Sequence, residues 1–455
     1  MDQMRLSSCS KQFSGFVRQN PGSLKRANYP DLSALHFEPA DLQPWPVFIN
    51  RHTKSTLREA SIGVFELIKR APRTFFANDV QQVSRYYGIP RHRVSLQLDG
   101  FGAKHLESMM ARGDFIYSPS GLKCLEYNVS TNVGGWEIAY LEPVYLKSPL
   151  IAKFLQESKA KICNQNMVST ILDFFLTLAQ KQFPHQAEIN MAVAIPGYEE
   201  SAYRLKEQRY LNRVYREIRQ PECGRAAGQV IFCDYRHLDM VDGHIYYEGS
   251  RIHVLIEMYH GQVPAGILKV FKSGSVLLYN GPIAGLLSNK LNLALLSENE
   301  NSALFSPAER KIIKKYIPWT RKLVPGHTTY KTGKIRLEHF VDLNRERLVI
   351  KPSDQFAGKD VYIGKFTPRS RWQQIVEAAM KAKNWLAQEY VESFSYSFQS
   401  GENGCAPHLA VWGLFVLGAE YLGAFLRLLP RGCNRGVVSS HQGAEETIVL
   451  EVDED

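Results

Sequence analysis

A β-hairpin is predicted by two strand-like segments, RGDFIYS and LKCLEYNV, on either side of the turn residues Pro119-Ser120-Gly121. Because residues two apart in a strand share a face, Arg112 and Asp114 point the same way from the first strand. Glu126 and Asn128 do the same from the second strand. The sequence therefore predicts a small sheet that presents these four polar side chains together.

The chemistry of this polar face has two interpretations. Carboxylate and amide oxygens are ligands that Mg²⁺ accepts, with phosphate oxygens and water completing its octahedron. Asp114, Glu126 and Asn128 are therefore candidate metal ligands, and Arg112 is a candidate partner for a phosphoryl group. The alternative is a surface hairpin joined by cross-strand ion pairs, which the pattern alone leaves open.

A second candidate segment follows the apolar strand RLVI, where Lys351 enters a loop that contains Gly358 and Lys359. Backbone N–H groups of such a loop can approach anionic oxygens while the lysines supply positive charge, which predicts a flap over phosphates. The segment is not a Walker A loop, and the chain has no G-x-G-x-x-G. A lysine after a strand is also common in ordinary loops.

Three further positions have a nucleotide interpretation and an ordinary one. The short strand that ends in Gln388–Val391 could place an adenine amino group against a backbone carbonyl, or it is a plain edge strand. Lys290 opens a predicted helix, and Arg427 lies at the end of a predicted hairpin strand. Each of these two residues is either a phosphate ligand or a surface base.

Length and composition limit the class of protein. The 455 residues exceed what one hydrophobic core usually organises, so we expect two or three subdomains. With 44% hydrophobic and 22% charged residues, the chain reads as soluble and globular. Seven cysteines without C-x-x-C spacing indicate neither a disulfide framework nor a structural zinc site. The N-terminus has no pattern typical of a secretion signal, so we expect a cytoplasmic protein.

Two stretches invite other functions. The apolar segment 409–429 carries Glu420 near its middle, which predicts two buried strands rather than a membrane span. The net charge of +10 and the basic run from Arg310 to Arg336 invite a nucleic-acid interpretation. A solvated helix face followed by a basic loop explains the run more simply. Nucleic-acid binding is kept as a minor alternative, because the chain shows no recognised nucleic-acid module.

Taken in order, these motifs resemble the circularly permuted ATP-grasp ligases, specifically the synthetase domain of glutathionylspermidine synthetase. The resemblance is carried by RGDFIYSPSGLKCLEYN, EESAY, SNKLNLALL, VIKPSDQFAGKDV, AQEYV and EYLGAFLR, from about residue 105 to about residue 430. It implies an α+β or α/β chain with a circularly permuted ATP-grasp fold and an additional N-terminal segment.

The resemblance also implies a division of the chain. An N-terminal mixed segment, whose role we leave open, covers 1–95. The metal-binding hairpin and its following helices cover 96–190, and a strand–helix–strand unit on the substrate side covers 191–290. The nucleotide-clamping subdomain covers 291–455.

Roles follow from the resemblance residue by residue. The Mg²⁺ ligands are expected to be Asp114, Glu126 and Asn128. The ATP-binding set is expected to comprise Arg112, Lys290, Lys351, Gly358, Gln388, Glu389, Tyr390, Val391 and Arg427. Within the reaction itself the implied residues are Arg112, Lys351 and Lys359, and the implied substrate positions are Thr131, Glu199 and Glu200.

The chain departs from the family at one position that matters for chemistry. Five residues after the flap lysine the family has an arginine that supports the transferring phosphoryl group, and here Phe356 occupies that position. The expected function is ATP- and Mg²⁺-dependent ligation of a small-molecule or peptide carboxylate to an amine through an acyl phosphate. The alternative that Phe356 keeps open is a nucleotide-binding homologue without ligase activity.

Overall fold

A computed structural model describes residues 6–20, 41–99, 102–135, 137–195, 197–198, 202–219, 227–258, 263–331, 333–355, 358–400, 404–432 and 436–454. The helices of this part are α1 Ser8–Gln19, α2 Arg51–Phe76, α3 Val80–Tyr87, α4 Arg91–Leu98, α5 Ala103–Leu106, α6 Ile138–Leu146, α7 Pro149–Ser158, α8 Met167–Gln182, α9 Ala202–Arg219, α10 Ala265–Lys272, α11 Ile283–Leu287, α12 Leu291–Glu298, α13 Pro307–Tyr316, α14 Leu337–Leu343 and α15 Arg369–Ala382. Its strands are β1 Val47–Ile49, β2 Met110–Ser118, β3 Gly121–Val129, β4 Met191–Ala194, β5 Val230–Cys233, β6 Asp239–Val241, β7 His244–Tyr247, β8 Ser250–Ile252, β9 Val254–Glu257, β10 Leu277–Tyr279, β11 Thr320–Lys322, β12 His327–Tyr330, β13 Gly333–Arg336, β14 Leu348–Pro352, β15 Tyr362–Ile363, β16 Trp385–Glu389, β17 Ser395–Ser400, β18 Gly404–Leu417, β19 Glu420–Pro430 and β20 Glu445–Glu451.

The largest sheet has the strand order β1-β20-β19-β18-β2-β3, and β17 pairs with the first half of β18. The second half of β18 pairs with β2, so the predicted hairpin β2–β3 extends a sheet made from the C-terminal strands. Among the strand pairs that the structure describes in this sheet, β1 and β20 run parallel and the others are antiparallel. The sheet combines strands from three predicted segments, 1–95, 96–190 and 291–455, and so extends across the predicted boundaries between them.

Helix α2 packs across this sheet and supplies much of its core. Asn50 caps the helix by accepting a hydrogen bond from the N–H of Thr53. Leu57, Val64 and other apolar residues of one helix face are fully buried. Phe65 stacks on Tyr127 of β3 with ring centroids 5.5 Å apart. The N-terminal segment, where it is described, is therefore an integral part of the main core.

Two smaller sheets complete the surroundings of the site. The parallel sheet β10-β9-β4-β5 contains the predicted strand–helix–strand unit β4-α9-β5, and its strands are almost wholly apolar, as buried parallel strands are. The antiparallel sheet β11-β16-β14-β15 carries Lys351 on β14 and Gln388 on β16. Trp372 of α15 is buried against this second sheet.

Two elements differ from the sequence pattern. The segment 94–101 alternates like a strand, but its described residues up to 98 belong to helix α4, where Val94 and Leu98 pack into one cluster and Leu96 into another. The stretch 152–181, whose composition is compatible with one long helix, forms parts of two helices, α7 and α8, with residues 159–166 between them. In both cases contacts with distant segments override the local pattern.

Two alternative interpretations can be compared with the structure. The apolar stretch 409–429 is the predicted strand pair, β18 and β19, and within the described residues no helix is long and apolar enough to cross a bilayer. The predicted basic loop after α13 instead forms β11 and the hairpin β12–β13. Arg321 in this run is buried and donates to the hydroxyl of Ser297 at 2.9 Å.

Candidate active site

A cavity of about 1040 Å³ lies where the three sheets meet. Its lining includes every described residue that the sequence singled out: Arg112, Asp114, Glu126, Asn128, Thr131, Lys290, Lys351, Gly358, Lys359, Gln388, Glu389, Tyr390, Val391 and Arg427. Glu199, Glu200 and Phe356 lie outside the described residues. The cavity is at the upper end of the range for small-molecule sites, which is large enough for a nucleotide with a second substrate.

The hairpin β2–β3 presents its polar residues on one face. Arg112 pairs with Asn128 and Asp114 pairs with Glu126 in the strand register. The side-chain amide nitrogen of Asn128 lies 3.3 Å from Asp114 Oδ2 and 3.4 Å from Glu126 Oε1. The three candidate metal ligands therefore converge.

A β-bulge in this hairpin was not predicted. The register shifts after Asp114, so that Leu125 has no partner residue on β2. The carbonyl oxygen of Leu125 accepts a hydrogen bond of 2.9 Å from Lys351 Nζ. Through this bond the bulge links the hairpin of the main sheet to the strand that carries the flap lysine.

Two arginines hold Asp114. Arg112 Nε donates to Asp114 Oδ1 at 2.9 Å, and Arg427 Nη2 lies 2.7 Å from Asp114 Oδ2. Both guanidinium groups also lie over the ring of Phe425, at 5.6 and 5.7 Å from its centroid. Carboxylate and ring together fix the directions in which the two cations face the cavity.

Two lysines approach Glu126. Lys290 Nζ lies 3.5 Å from Glu126 Oε2, and it also donates to the carbonyl of Gln355 in the flap. Burial opposes ionisation of Glu126, but Lys290, Lys351 and Arg427 outweigh burial and lower the pKa of Glu126 to about 2. Glu126 is therefore an anion at neutral pH and can serve as a metal ligand.

Lys351 is buried, and it lines the cavity. Burial lowers the pKa of Lys351 to about 8, and the repulsion of Lys290 acts in the same direction, while Glu126 opposes both. Its Nζ donates to Gln388 Oε1 at 3.0 Å, and Gln388 Nε2 donates to the hydroxyl of Thr320 at 3.1 Å. Lys351 is thus oriented from two sides, but its charge is only weakly stabilised.

The chemistry of the donor set can be tested against Mg²⁺. Among the described residues, no group of three or more His, Cys, Asp or Glu side chains is placed to hold a metal ion by itself. Asp114 and Glu126 with the amide of Asn128 instead make a partial set. This fits Mg²⁺, which usually keeps several waters and binds one or two carboxylates together with substrate phosphates.

The segment predicted to face adenine is held by its backbone. The N–H of Glu389 donates to the carbonyl of Trp319 at 2.8 Å, and the N–H of Tyr390 donates to that of Arg347 at 2.7 Å. These two N–H groups are therefore engaged within the protein. A base at this position would have to use the remaining backbone groups of Gln388–Val391.

The flap loop packs against a second loop that sequence reasoning missed. Gly358 has a φ of +69°, and its carbonyl accepts a hydrogen bond of 3.1 Å from Gln442 Nε2. A Cβ atom at Gly358 would lie only 2.9 Å from Val437. The segment 436–440 lines the cavity alongside Lys359. Its serines and glycine resemble any polar loop, so the sequence carried no distinguishing signal.

Glu257 is a further cavity residue that the sequence analysis did not select. Burial raises the pKa of this carboxyl to about 7, against the smaller opposing effects of hydrogen bonds from Gly281 and Tyr235. The predicted substrate residue Thr131 is fully buried, and its hydroxyl donates to the backbone carbonyl of Glu257. The position of Glu257 at the carboxyl end of a parallel strand, where ligands bind in open α/β sheets, was the signal that could have identified it.

The chain was compared with known proteins. No family model matches it, and no curated protein matches it. Among solved structures, a glutathione synthetase-like effector from Globodera pallida, in its apo form, matches with a TM-score of 0.60 and 12% sequence identity, covering 99% of this chain and 97% of that chain. D-alanyl-alanine synthetase A from Vibrio cholerae O1 biovar eltor matches with a TM-score of 0.28 and 9% identity, covering 58% and 74%, which is too low to carry an argument. The chain thus shares its overall fold with the effector.

Proposed function

We propose that this protein is an ATP- and Mg²⁺-dependent ligase that joins a carboxylate to an amine through an acyl phosphate and releases ADP and phosphate. The observation that carries the proposal is the convergence of two carboxylates and an amide with four cationic side chains in one cavity. The anionic members and the amide are Asp114, Glu126 and Asn128, and the cationic members are Arg112, Lys290, Lys351 and Arg427. Such an excess of positive charge suits a polyphosphate.

The residues of the site would bind and position the nucleotide. Asp114, Glu126 and Asn128 would hold Mg²⁺, which would supply Lewis-acid stabilisation of charge on the phosphate oxygens. The four cations would face the phosphates, as guanidinium and ammonium groups do in phosphoryl-transfer sites. Gln388–Val391 would lie beside adenine, and Lys359 with Gly358 would close over the phosphates.

The reaction requires no side-chain nucleophile. A carboxylate oxygen of the acid would attack the γ-phosphorus of ATP as the bond to the β–γ bridging oxygen breaks. The amine nitrogen would then attack the acyl carbon, and the carbon–oxygen bond to phosphate would break. The protein contributes position and charge, and positioning can supply about 7–11 kcal/mol of the barrier.

We also propose that the fold is circularly permuted. In support, the hairpin with the candidate metal ligands precedes Lys290 and Lys351 in the chain, but it belongs to the same sheet as the late strands β18 and β19. This pairing of an early hairpin with late strands is what a circular permutation would produce.

The decisive experiment is mass spectrometry of reactions that contain ATP, Mg²⁺ and pooled carboxylic acids, amino acids, peptides and amines. ADP together with a product mass equal to acid plus amine minus water would establish ligation and identify both substrates. The same pool with Glu126→Gln is the control, because this variant lacks one candidate metal ligand. Product formation at the wild-type rate by Glu126→Gln would remove the metal assignment.

A second candidate function rests on Phe356, which stands where the resembling family has a phosphate-supporting arginine. A protein without that arginine could bind nucleotide and not transfer phosphate. Nucleotide binding without ADP or product, across the whole pool, would favour this candidate. Phe356→Arg then tests whether this side chain accounts for the missing activity. ADP formation in the Phe356→Arg variant would show that it does.

A further inference from the structure

Glu257 is a buried carboxylate that faces the cavity and has acceptor capacity to spare. It ends strand β9 and is 9% exposed. Its Oε1 accepts a hydrogen bond of 3.0 Å from the hydroxyl of Tyr235, and its Oε2 accepts one of 2.5 Å from the N–H of Gly281. An ionised carboxylate has about four lone-pair positions. The two protein donors therefore orient the group without saturating it.

No cation of the described residues compensates this carboxylate. Among the residues that the structure describes, burial and the two hydrogen bonds govern its pKa, and no lysine, arginine or histidine contributes. The neighbouring strands β4 and β10 contribute one ionisable side chain, Tyr279, which burial keeps neutral by raising its pKa to about 12. Asp114 and Glu126, by contrast, each face cations of the protein. A buried carboxylate without such a partner is costly as an anion, unless a ligand supplies the positive charge.

Glu257 is tied closely to the hairpin that carries the candidate metal ligands. The hydroxyl of Thr131 donates to the backbone carbonyl of Glu257, and Thr131 follows Asn128 by three residues, a span of at most about 11 Å. A second connection runs through Asn280, whose Oδ1 accepts from the N–H of Met110 at 2.9 Å and which precedes Gly281. The carboxylate thus lies on the parallel-sheet side of the same cavity, next to the phosphate-binding side.

We propose that Glu257 binds the ammonium group of the amine substrate and accepts the proton that the amine loses before it attacks. That the amine bound by Glu257 is the substrate that receives the acyl group rests on the proposed function. The ammonium transfers one proton to the carboxylate, which leaves a neutral amine and a carboxylic acid. The amine nitrogen then bonds to the acyl carbon while the bond to phosphate breaks, and its second proton leaves with the phosphate.

The raised pKa supports this role, because a base near neutrality takes a proton from an ammonium group at less cost than an ordinary carboxylate does. It also predicts a pH dependence of binding. Only the ionised carboxylate attracts a cation, so amine affinity rises with pH through the pKa of about 7. For a single site this corresponds to about a tenfold gain from pH 6 to pH 8.

The test is isothermal titration calorimetry of the full chain with n-butylamine, with butan-1-ol as the neutral probe of the same shape. We expect wild-type protein to bind the amine about tenfold more tightly at pH 8 than at pH 6 and to bind the alcohol far more weakly. Glu257→Gln keeps oxygen and shape but loses charge, so amine affinity should fall at least about tenfold and lose its pH dependence. A circular dichroism spectrum and an unfolding midpoint that match those of the wild type show that this variant is folded.

A matched control is Glu137→Gln, which removes a half-buried carboxyl of the same cavity. Glu137 accepts a hydrogen bond of 2.8 Å from the N–H of Gly135, but it has the positive charge of Arg112 nearby. We expect this variant to keep the amine affinity and its pH dependence. Equal affinity of Glu257→Gln and wild type would overturn the inference, and so would the failure of wild-type protein to bind the amine.

The outcomes separate this inference from the proposed function. If the protein binds the amine through Glu257 but does not bind ATP, the amine site is supported and ATP-dependent ligation is refuted. If ATP-dependent amide formation is unaffected by Glu257→Gln, the ligase function is supported and the proposed role of Glu257 is refuted.

Discussion

Arg427 Nη2 lies 2.7 Å from Asp114 Oδ2, although β18 separates their strands, β19 and β2, in the sheet. Arg112 Nε contacts the other oxygen of the same carboxylate. The side chain of Asp114 is only 3% exposed, so two guanidinium groups depend on one buried anion. Removing one partner of such a cluster leaves uncompensated charge out of water.

This relationship predicts a loss of stability for Asp114→Asn. We expect the free energy of unfolding to fall by about 3–5 kcal/mol, as it does when a buried ion pair loses one partner. Urea denaturation followed by tryptophan fluorescence measures it. The control is Glu392→Gln, which removes a half-exposed pair with Arg431 at 3.4 Å and should cost at most about 1 kcal/mol. Equal losses in the two variants would show that Asp114 is not electrostatically coupled to the arginines.

Removal of Glu126 should separate nucleotide binding from turnover. Glu126→Gln deletes a candidate metal ligand but leaves Lys290, Lys351 and Arg427 in place. We therefore expect ATP affinity to be kept or increased, while ADP formation falls by at least about 100-fold. Nucleotide titration and an ADP assay at several Mg²⁺ concentrations measure the two effects. Glu346→Gln, at an exposed pair with Arg345, should change neither.

The lowered pKa of Lys351 predicts that ATP binding weakens in alkaline solution. A lysine with a pKa of about 8 is charged at pH 7 and largely neutral at pH 9. If the phosphates require the charged form, affinity should fall about tenfold between pH 7 and pH 9. Lys351→Arg stays charged over this range, so its affinity should be nearly constant. A wild-type affinity that does not change with pH would exclude Lys351 from the phosphate site.

Gly413 is expected to tolerate no side chain. It pairs with Asp114 on one side and with Phe425 on the other. A Cβ atom there would lie 2.2 Å from Phe425 Cε1 and 3.0 Å from Arg112 Cδ. We expect Gly413→Ala to cost about 1–3 kcal/mol through overpacking and to weaken ATP binding by displacing Arg112.

The control for this substitution is Gly15→Ala within helix α1, where a Cβ meets no atom within 4 Å. Since alanine is the better helix former, this change should stabilise the protein by up to about 1 kcal/mol. Thermal unfolding of both variants, with nucleotide titration, makes the comparison. A Gly413→Ala variant as stable as wild type would show that the close packing at Gly413 is not required.

The sequence predicted the hairpin and its polar face well, because strand periodicity and turn residues are local properties. The bulge at Leu125 could not be predicted in the same way. Nothing in the residues LKCLEYN distinguishes a regular strand from one that gains a bond to Lys351, which is 226 residues away in the chain. Contacts of this kind are properties of the assembled fold.

The same reasoning explains why Glu257 was overlooked. Residues VLIE look like the end of an apolar strand, and a glutamate there usually reaches solvent. Its burial depends on Tyr235 and on the turn at Gly281, each more than 20 residues distant. Helix α4 is a comparable case, since the alternation around Val94 is strand-like and only the packing of Val94 and Leu98 into one cluster accounts for the helix.

The strand order of the main sheet has a consequence for synthesis of the chain. Strand β3 ends at Val129, but β18, on which β2 pairs, begins only at Gly404. During translation the edge of β2 therefore stays unpaired until β18 has been made. Unpaired strand edges can pair with incorrect partners. Contacts between segments that are distant in the sequence also slow folding. Termination of synthesis before Gly404 would leave the hairpin sequence intact and still deprive it of the strands that complete its sheet.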